Sequence, residues 1–132
     1  MILVDTSAWI EYLNGTGSET ARSVRRAIPS RQVVLGDLIL VEILQGIRDP
    51  KTVAATRETL LLLRRESMCG FGVVEQAAAN FRHLRRRGIT IRGTVDVILA
   101  TWCIVNGATI IHNDRDMTVM EGELGLIPHV DG

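Results

Sequence analysis

The chain has 132 residues, enough for one domain with a sizeable core, and residues 1–132 are expected to form a single unit. Apolar residues make up 46% and charged residues 23%, a globular composition that excludes a disordered protein. No apolar run reaches the length of a membrane span, and "MILVD" meets an acid too early for a signal-peptide core, so a soluble, cytoplasmic protein with no membrane association is expected.

"ILVD" at the start reads as a short buried strand ending in Asp5, and "SAWIEYL" as the helix after it, with Thr6 or Ser7 at its N-cap. "SETARSVRRAI" predicts a second helix that stops near Pro29, and "QVVLG" a second strand. Asp37 then caps a helix carrying "LILVEILQGI", and "PKTVAATRETLLLLRRE" predicts a helix with Pro50 in its first turn. "SMCGF" is expected as a short strand. "VVEQAAANFRHLRRRG" has apolar positions at 74, 77, 78, 81 and 84, a helical stripe closed by Gly88. "GTVDVILATWCIVNG" repeats the pattern at 95, 98, 99, 102 and 105, with Gly107 after it. "ATIIHND" predicts a strand ending in acids and "LIPHV" a last short strand. Alternation of strands and helices predicts an α/β fold: a mostly parallel twisted sheet of four to five strands between two helical layers. Cys69 and Cys103, far apart and outside any C-x-x-C, are expected as reduced core thiols.

The acids carry the chemistry. Glu42 sits inside an apolar run with no Lys or Arg within a helical turn, and an unpaired buried carboxylate is costly. Gly46, its i+4 neighbour, leaves space beside it. Asp5 and Asp114 follow the ends of strands, where ligands of open α/β sheets sit. Asp96 lies in the first turn of its helix, and Asp116 follows Asp114 by two residues. Each alone has an ordinary explanation: a helix cap, a first-turn acid favoured by the macrodipole, the partner of a distant arginine. Together, close carboxylates raise one another's pKa, and a divalent cation removes that conflict. An oxygen-only donor set points to Mg²⁺ or Mn²⁺, and the lack of a His or Cys cluster argues against zinc. His83 and His129 read as structural or surface residues.

Net charge is zero, which at first speaks against a nucleic-acid partner. The distribution does not. With five of the 15 acids gathered at one site, 10 remain against 15 bases, and of those bases Lys51 alone is lysine. Arginine suits bidentate phosphate contacts, although genome composition gives the same excess. Arg82, Arg85, Arg86, Arg87 and Arg92 form the obvious cluster, but basic residues in a last helical turn also complement the dipole and face water. Most of the few aromatic residues fall on apolar stripes and read as core.

The sequence resembles a PIN-domain ribonuclease of the VapC toxin type. The matching motifs are "ILVDTSAWI", "VEILQGIRD" around Glu42, "TVDVILATW" around Asp96 and "IIHNDRDM" around Asp114, in the family's order and over nearly the whole chain. The resemblance implies a PIN-like fold and four catalytic acids, Asp5, Glu42, Asp96 and Asp114. It puts Asp5, Asp96 and Asp114 on the metal, with Thr6, Ser7 and Asp116 in support. Two positions depart from the family: His112 stands where Ser or Thr is usual, and Met117 where an aromatic is frequent. The implied activity is Mg²⁺-dependent hydrolysis of RNA to 5′-phosphate and 3′-hydroxyl ends, in a toxin that inhibits translation and growth. A homodimer and a cognate antitoxin partner are implied with it. The rival is a degenerate PIN module that binds RNA or protein without cutting. A phosphoacceptor receiver domain would need a lysine after a late strand, and Lys51 begins a predicted helix. A haloacid-type phosphatase would need an acid where Ser7 stands.

Overall fold

The computed structural model describes residues 1–131. Strand β1 (Ile2–Val4) is buried at every position, as is β2 (Val33–Gly36). Consecutive buried residues on a strand mean that both sheet faces are covered. β1 pairs in parallel with β2 through Ile2↔Val33 and Leu3↔Val34, and with β4 (Thr109–Ile111) through Ile2↔Thr109, Leu3↔Ile110 and Val4↔Ile111. β3 (Arg64–Glu66) adds in parallel to β2, giving the order β3-β2-β1-β4. The expected α/β class is therefore observed, and the strands that lead to Asp5 and Asp114 are neighbours.

Parallel neighbours need long crossovers, and helices supply them. α1 (Thr6–Leu13) and α2 (Glu19–Ala27) connect β1 to β2, the latter followed by a 3-10 turn over Ile28–Ser30 that contains Pro29. α3 (Asp37–Gln45) and α4 (Pro50–Leu60) connect β2 to β3. α5 (Phe71–Arg86) and α6 (Thr94–Asn106) lead to β4, and α7 (Arg115–Leu124) follows it. In α6, Val97 and every residue from Leu99 to Cys103 are buried, whereas of the expected stripe Val95 and Ile98 are half-buried and Val105 is exposed. The chain leaves this helix through Gly107 at φ +66, a left-handed cap that favours glycine.

Several local expectations give way to tertiary contacts. The helix expected to continue through Glu66 stops at Leu60, and Arg64–Glu66 instead pairs with Val34–Gly36. The open edge of β2 offers this backbone a ladder, which outweighs helical propensity. "SMCGF" is a loop leading into α5 and not a strand; Met68 is fully buried there and Phe71 is 97% exposed. "LIPHV" makes one parallel bridge, Ile110↔Pro128, through Ile110 N donating to Ile127 O at 3.0 Å and His129 N donating to Ile110 O at 2.8 Å, and not a full strand. Gly36, not Asp37, is the N-cap of α3; Asp37 Oδ1 accepts from Leu38 N at 2.8 Å and Met68 N at 3.0 Å, tying the loop after β3 to the start of α3. Asp5 itself, not Thr6 or Ser7, caps α1. Cys103 is buried as expected, but Cys69 is exposed.

Gly36 is where β2 turns into the helix carrying Glu42. Its φ of −79° suits any residue, so the constraint there is space. A Cβ at Gly36 would lie 2.8 Å from Met68 Cγ and 2.9 Å from Met68 Sδ. Gly36→Ala should therefore lower the unfolding free energy by about 1–3 kcal/mol, read from denaturant titration.

Candidate functional site

The site begins where β1 ends. Asp5 N donates to Ile111 O at 2.9 Å, which ties the end of β1 to the end of β4. Asp5 is 3% exposed, and its Oδ2 accepts from Ser7 Oγ at 2.6 Å and Ser7 N at 3.4 Å. Ser7 Oγ in turn accepts from Asn113 N at 3.0 Å, so one hydroxyl joins the first acid to the turn that carries the fourth. Thr6 Oγ1 donates to Glu42 Oε1 at 2.7 Å, which gives the half-buried carboxylate on α3 its partner. Both hydroxyls after Asp5 thus bond to a carboxylate.

Asp114 is the N-cap of α7; its Oδ1 accepts from Asp116 N at 2.8 Å. Asp96, in the first turn of α6, completes the group. Burial pushes the Asp5 carboxyl above its usual range, the Ser7 hydroxyl and amide pull it back, and Asp114 adds repulsion. Asp96 is pushed up to about 7, first by burial and then by Asp5, Asp114, Glu42 and Asp116 in turn. This coupling is the electrostatic sign that all five acids share one rim. Cys103 lies against it: burial and then the Asp5 charge push its thiol up to about 12, which makes it inert packing.

Asp116 differs from the other four. It is 8% exposed, and its Oδ2 accepts from Arg92 N at 3.2 Å and Arg92 Nε at 3.3 Å. A second guanidinium nitrogen of Arg92 lies 3.4 Å from Asp114 Oδ1. The five arginines expected as one cluster therefore separate. Arg92 stands at the acids, where Asp116 first and then Asp114 and Asp96 raise its pKa. Arg87 pairs with Glu123 at 3.2 Å. Arg82 and Arg85 flank an apolar groove of about 500 Å³ between α5 and α6, lined by Val74, Ala78, Phe81 and Ile98. Arg86 is exposed near the end of α5. Sequence reasoning missed the ion pairs of Arg92 because they join residues more than twenty positions apart. Glu121, which contacts His112, was missed too; its signal was a place two helical turns after Asp114 on the same helix.

The donors at the rim are carboxylate and hydroxyl oxygens, a hard set that fits Mg²⁺ or Mn²⁺. The repulsion that adds to burial in raising Asp96 is what such an ion would relieve. Among the described residues no three His, Cys, Asp or Glu side chains stand close enough to enclose an ion.

Residues 2–123 match the family described as PIN domain. Ribonuclease VapC11 of Mycobacterium tuberculosis and a VapC ribonuclease of Mycobacterium bovis are each 35% identical to this chain over 122 residues, 91% of both chains in each case. The structure of VapBC2 from Rickettsia felis, bound to a DNA fragment from their promoter, shares the fold with a TM-score of 0.79 at 15% identity, covering 98% of both chains.

The raised pKa of Asp96 has a definite sign. The group titrates near 7 in the folded protein and near 3.8 when free, so between those values the folded state binds more protons. Stability of the metal-free protein then falls as pH rises through that window. Asp96→Asn should raise the metal-free Tm at pH 7 by roughly 2–5 °C and flatten its decline from acid to neutral pH, in thermal unfolding followed by circular dichroism.

Proposed function

We propose an endoribonuclease, from the premise that the chain belongs to the PIN-domain family, among the VapC ribonucleases. The reading is of one PIN-like unit over residues 1–132, the toxin of a VapBC-type pair, which inhibits translation and growth by hydrolysing RNA phosphodiesters. The observation that carries it is the convergence of Asp5, Glu42, Asp96 and Asp114 on one rim, with Asp96 pushed up to about 7 by burial and then by these neighbours.

Asp5, Asp96 and Asp114 are the residues that would hold Mg²⁺, or Mn²⁺ in its place. Such an ion supplies a water of lowered pKa and neutralises charge on the scissile phosphate. Ser7 keeps the Asp5 carboxylate aimed across the rim, and Thr6 does the same for Glu42. Glu42 orients the water or the phosphate from the α3 side. Arg92, 78% exposed in its side chain, has donors to spare for a phosphate beside the acids. Arg82, Arg85, Arg86 and Arg87 carry the RNA backbone further away.

A cognate antitoxin is the proposed protein partner, and a homodimer the proposed assembly. A groove of about 320 Å³ is lined by Ile10, Leu13, Ile43 and Ile47 together with Glu42, so a partner segment with an apolar face and a cation would match its lining. Among the described residues no helix is long and apolar enough to cross a membrane; a cytoplasmic location is proposed with the toxin reading.

Purified protein should cleave mixed cellular RNA in Mg²⁺, lose that activity in EDTA and regain it with Mg²⁺ or Mn²⁺. Asp5→Asn should lower the rate by about two orders of magnitude or more. Equal cleavage by that variant would assign the activity to a contaminant or another site, and binding without cleavage by the wild type would favour a non-catalytic module. Replacing Arg82, Arg85 and Arg86 together by Gln should raise KM, leave kcat in place, and flatten the salt dependence of single-strand binding by about 0.7 per lost phosphate contact.

A further inference from the structure

Between β4 and α7 the chain carries His112, where the family it resembles usually has a hydroxyl residue. Its side chain is 9% exposed. Asp114 N donates to His112 Nδ1 at 3.2 Å, and His112 Nε2 lies 2.6 Å from Glu121 Oε2. A ring nitrogen that accepts a hydrogen bond carries no proton, so the proton sits on Nε2 and points at Glu121. Glu121 belongs to α7, the helix that Asp114 itself begins. The turn therefore closes on its own helix: Glu121 holds the ring, the ring holds the Asp114 amide, and Asp114 caps the helix. One residue earlier, Asn113 N is held by Ser7 Oγ at 3.0 Å. Both amides that lead into the fourth acid are thus anchored.

We propose that the His112–Glu121 pair is a positioning device for the Asp114 carboxylate, holding it toward Asp5 and Asp96 for metal binding. The inference rests on the metal-dependent reading above and adds to it a second pair of residues. A serine or threonine hydroxyl can rotate between donating and accepting. A buried imidazole whose far nitrogen is committed to a carboxylate presents a fixed acceptor. Metal sites commonly orient a ligand through partners of this kind, and their loss costs about 10–100-fold in affinity. His112 and Glu121 touch neither metal nor substrate in this scheme; they act through the turn.

The test is Mn²⁺ binding by the full chain, followed by titration calorimetry and by Mn²⁺ paramagnetic resonance, beside the Tm of each metal-free variant. Asn places its Oδ1 where the imidazole has Nδ1, so His112→Asn keeps the acceptor for Asp114 N. His112→Leu fills the volume and has no acceptor. We expect His112→Leu to weaken Mn²⁺ binding about 10–100-fold and His112→Asn to recover most of that loss. A purely structural histidine predicts the reverse order, since Leu fills the buried space better than Asn. Affinity unchanged in His112→Leu, or no better in Asn than in Leu, overturns the inference while leaving the metal site in place. A wild type without saturable Mn²⁺ binding overturns the metal reading, and this inference with it. Should the Leu variant not fold, nitrogen NMR of the wild-type protein at about pH 8, where imidazole is normally neutral, decides the matter. A pyridine-type Nδ1 and pyrrole-type Nε2 at His112 are required, and the opposite tautomer overturns the proposal.

Discussion

Everything at the site depends on β1 and β4 lying side by side in parallel. That pairing puts the residue after Val4 and the turn after Ile111 at one end of the sheet, and Asp5 N donating to Ile111 O locks them together. Carboxylates brought to one place repel, and burial removes the water that would screen them. The cost falls unevenly. Asp5 is the more buried but has the Ser7 hydroxyl and amide to stabilise its charge. Asp96 has no such donors among the causes of its shift, which are burial and four acidic neighbours, and its pKa rises furthest. Such a gathering of acids costs stability unless a counter-charge offsets it.

The polar residues around the acids divide the work by element. On α1, Thr6 and Ser7 turn outward from the first helical turn, one to Glu42 on α3 and the other to Asp5 and the β4–α7 turn. A helix capped by an acid thereby joins three segments that are far apart in the chain. Asp116 plays a different part from the other acids. It holds the segment before α6 through both the backbone and the side chain of Arg92, and so fixes the approach to Asp96. Arg92 is then a resident positive charge at the rim, balancing acids that would otherwise face only one another.

Much of this was legible in the residues. Short apolar runs ending in acids marked β1 and β4, because a parallel strand is buried on both faces and its next polar residue marks the rim. Glu42 stood out because nothing within a helical turn could neutralise it, and its observed partner, Thr6, is 36 positions away. The departures have physical causes of one kind. Arg64–Glu66 reads as the charged end of a helix until the open edge of β2 captures it. Gly36 reads as a strand end until Met68 proves to occupy the space a side chain would need. Cys69 sits among apolar residues in the sequence, but in its loop Met68 takes the buried place and Cys69 faces out.

The alternation of strands and helices, the acids at the strand ends and the α/β class follow from residue patterns alone, because alternation and burial are local properties of the chain; β3 and α7 do not. The partners of charged side chains do not. The division of five arginines between a groove, a neighbouring glutamate and the acidic rim was decided by packing, as was the closure of His112 and Glu121 over Asp114. Those contacts join residues whose separation along the chain says nothing of their distance in space, so they exist only once the sheet and its helices are assembled.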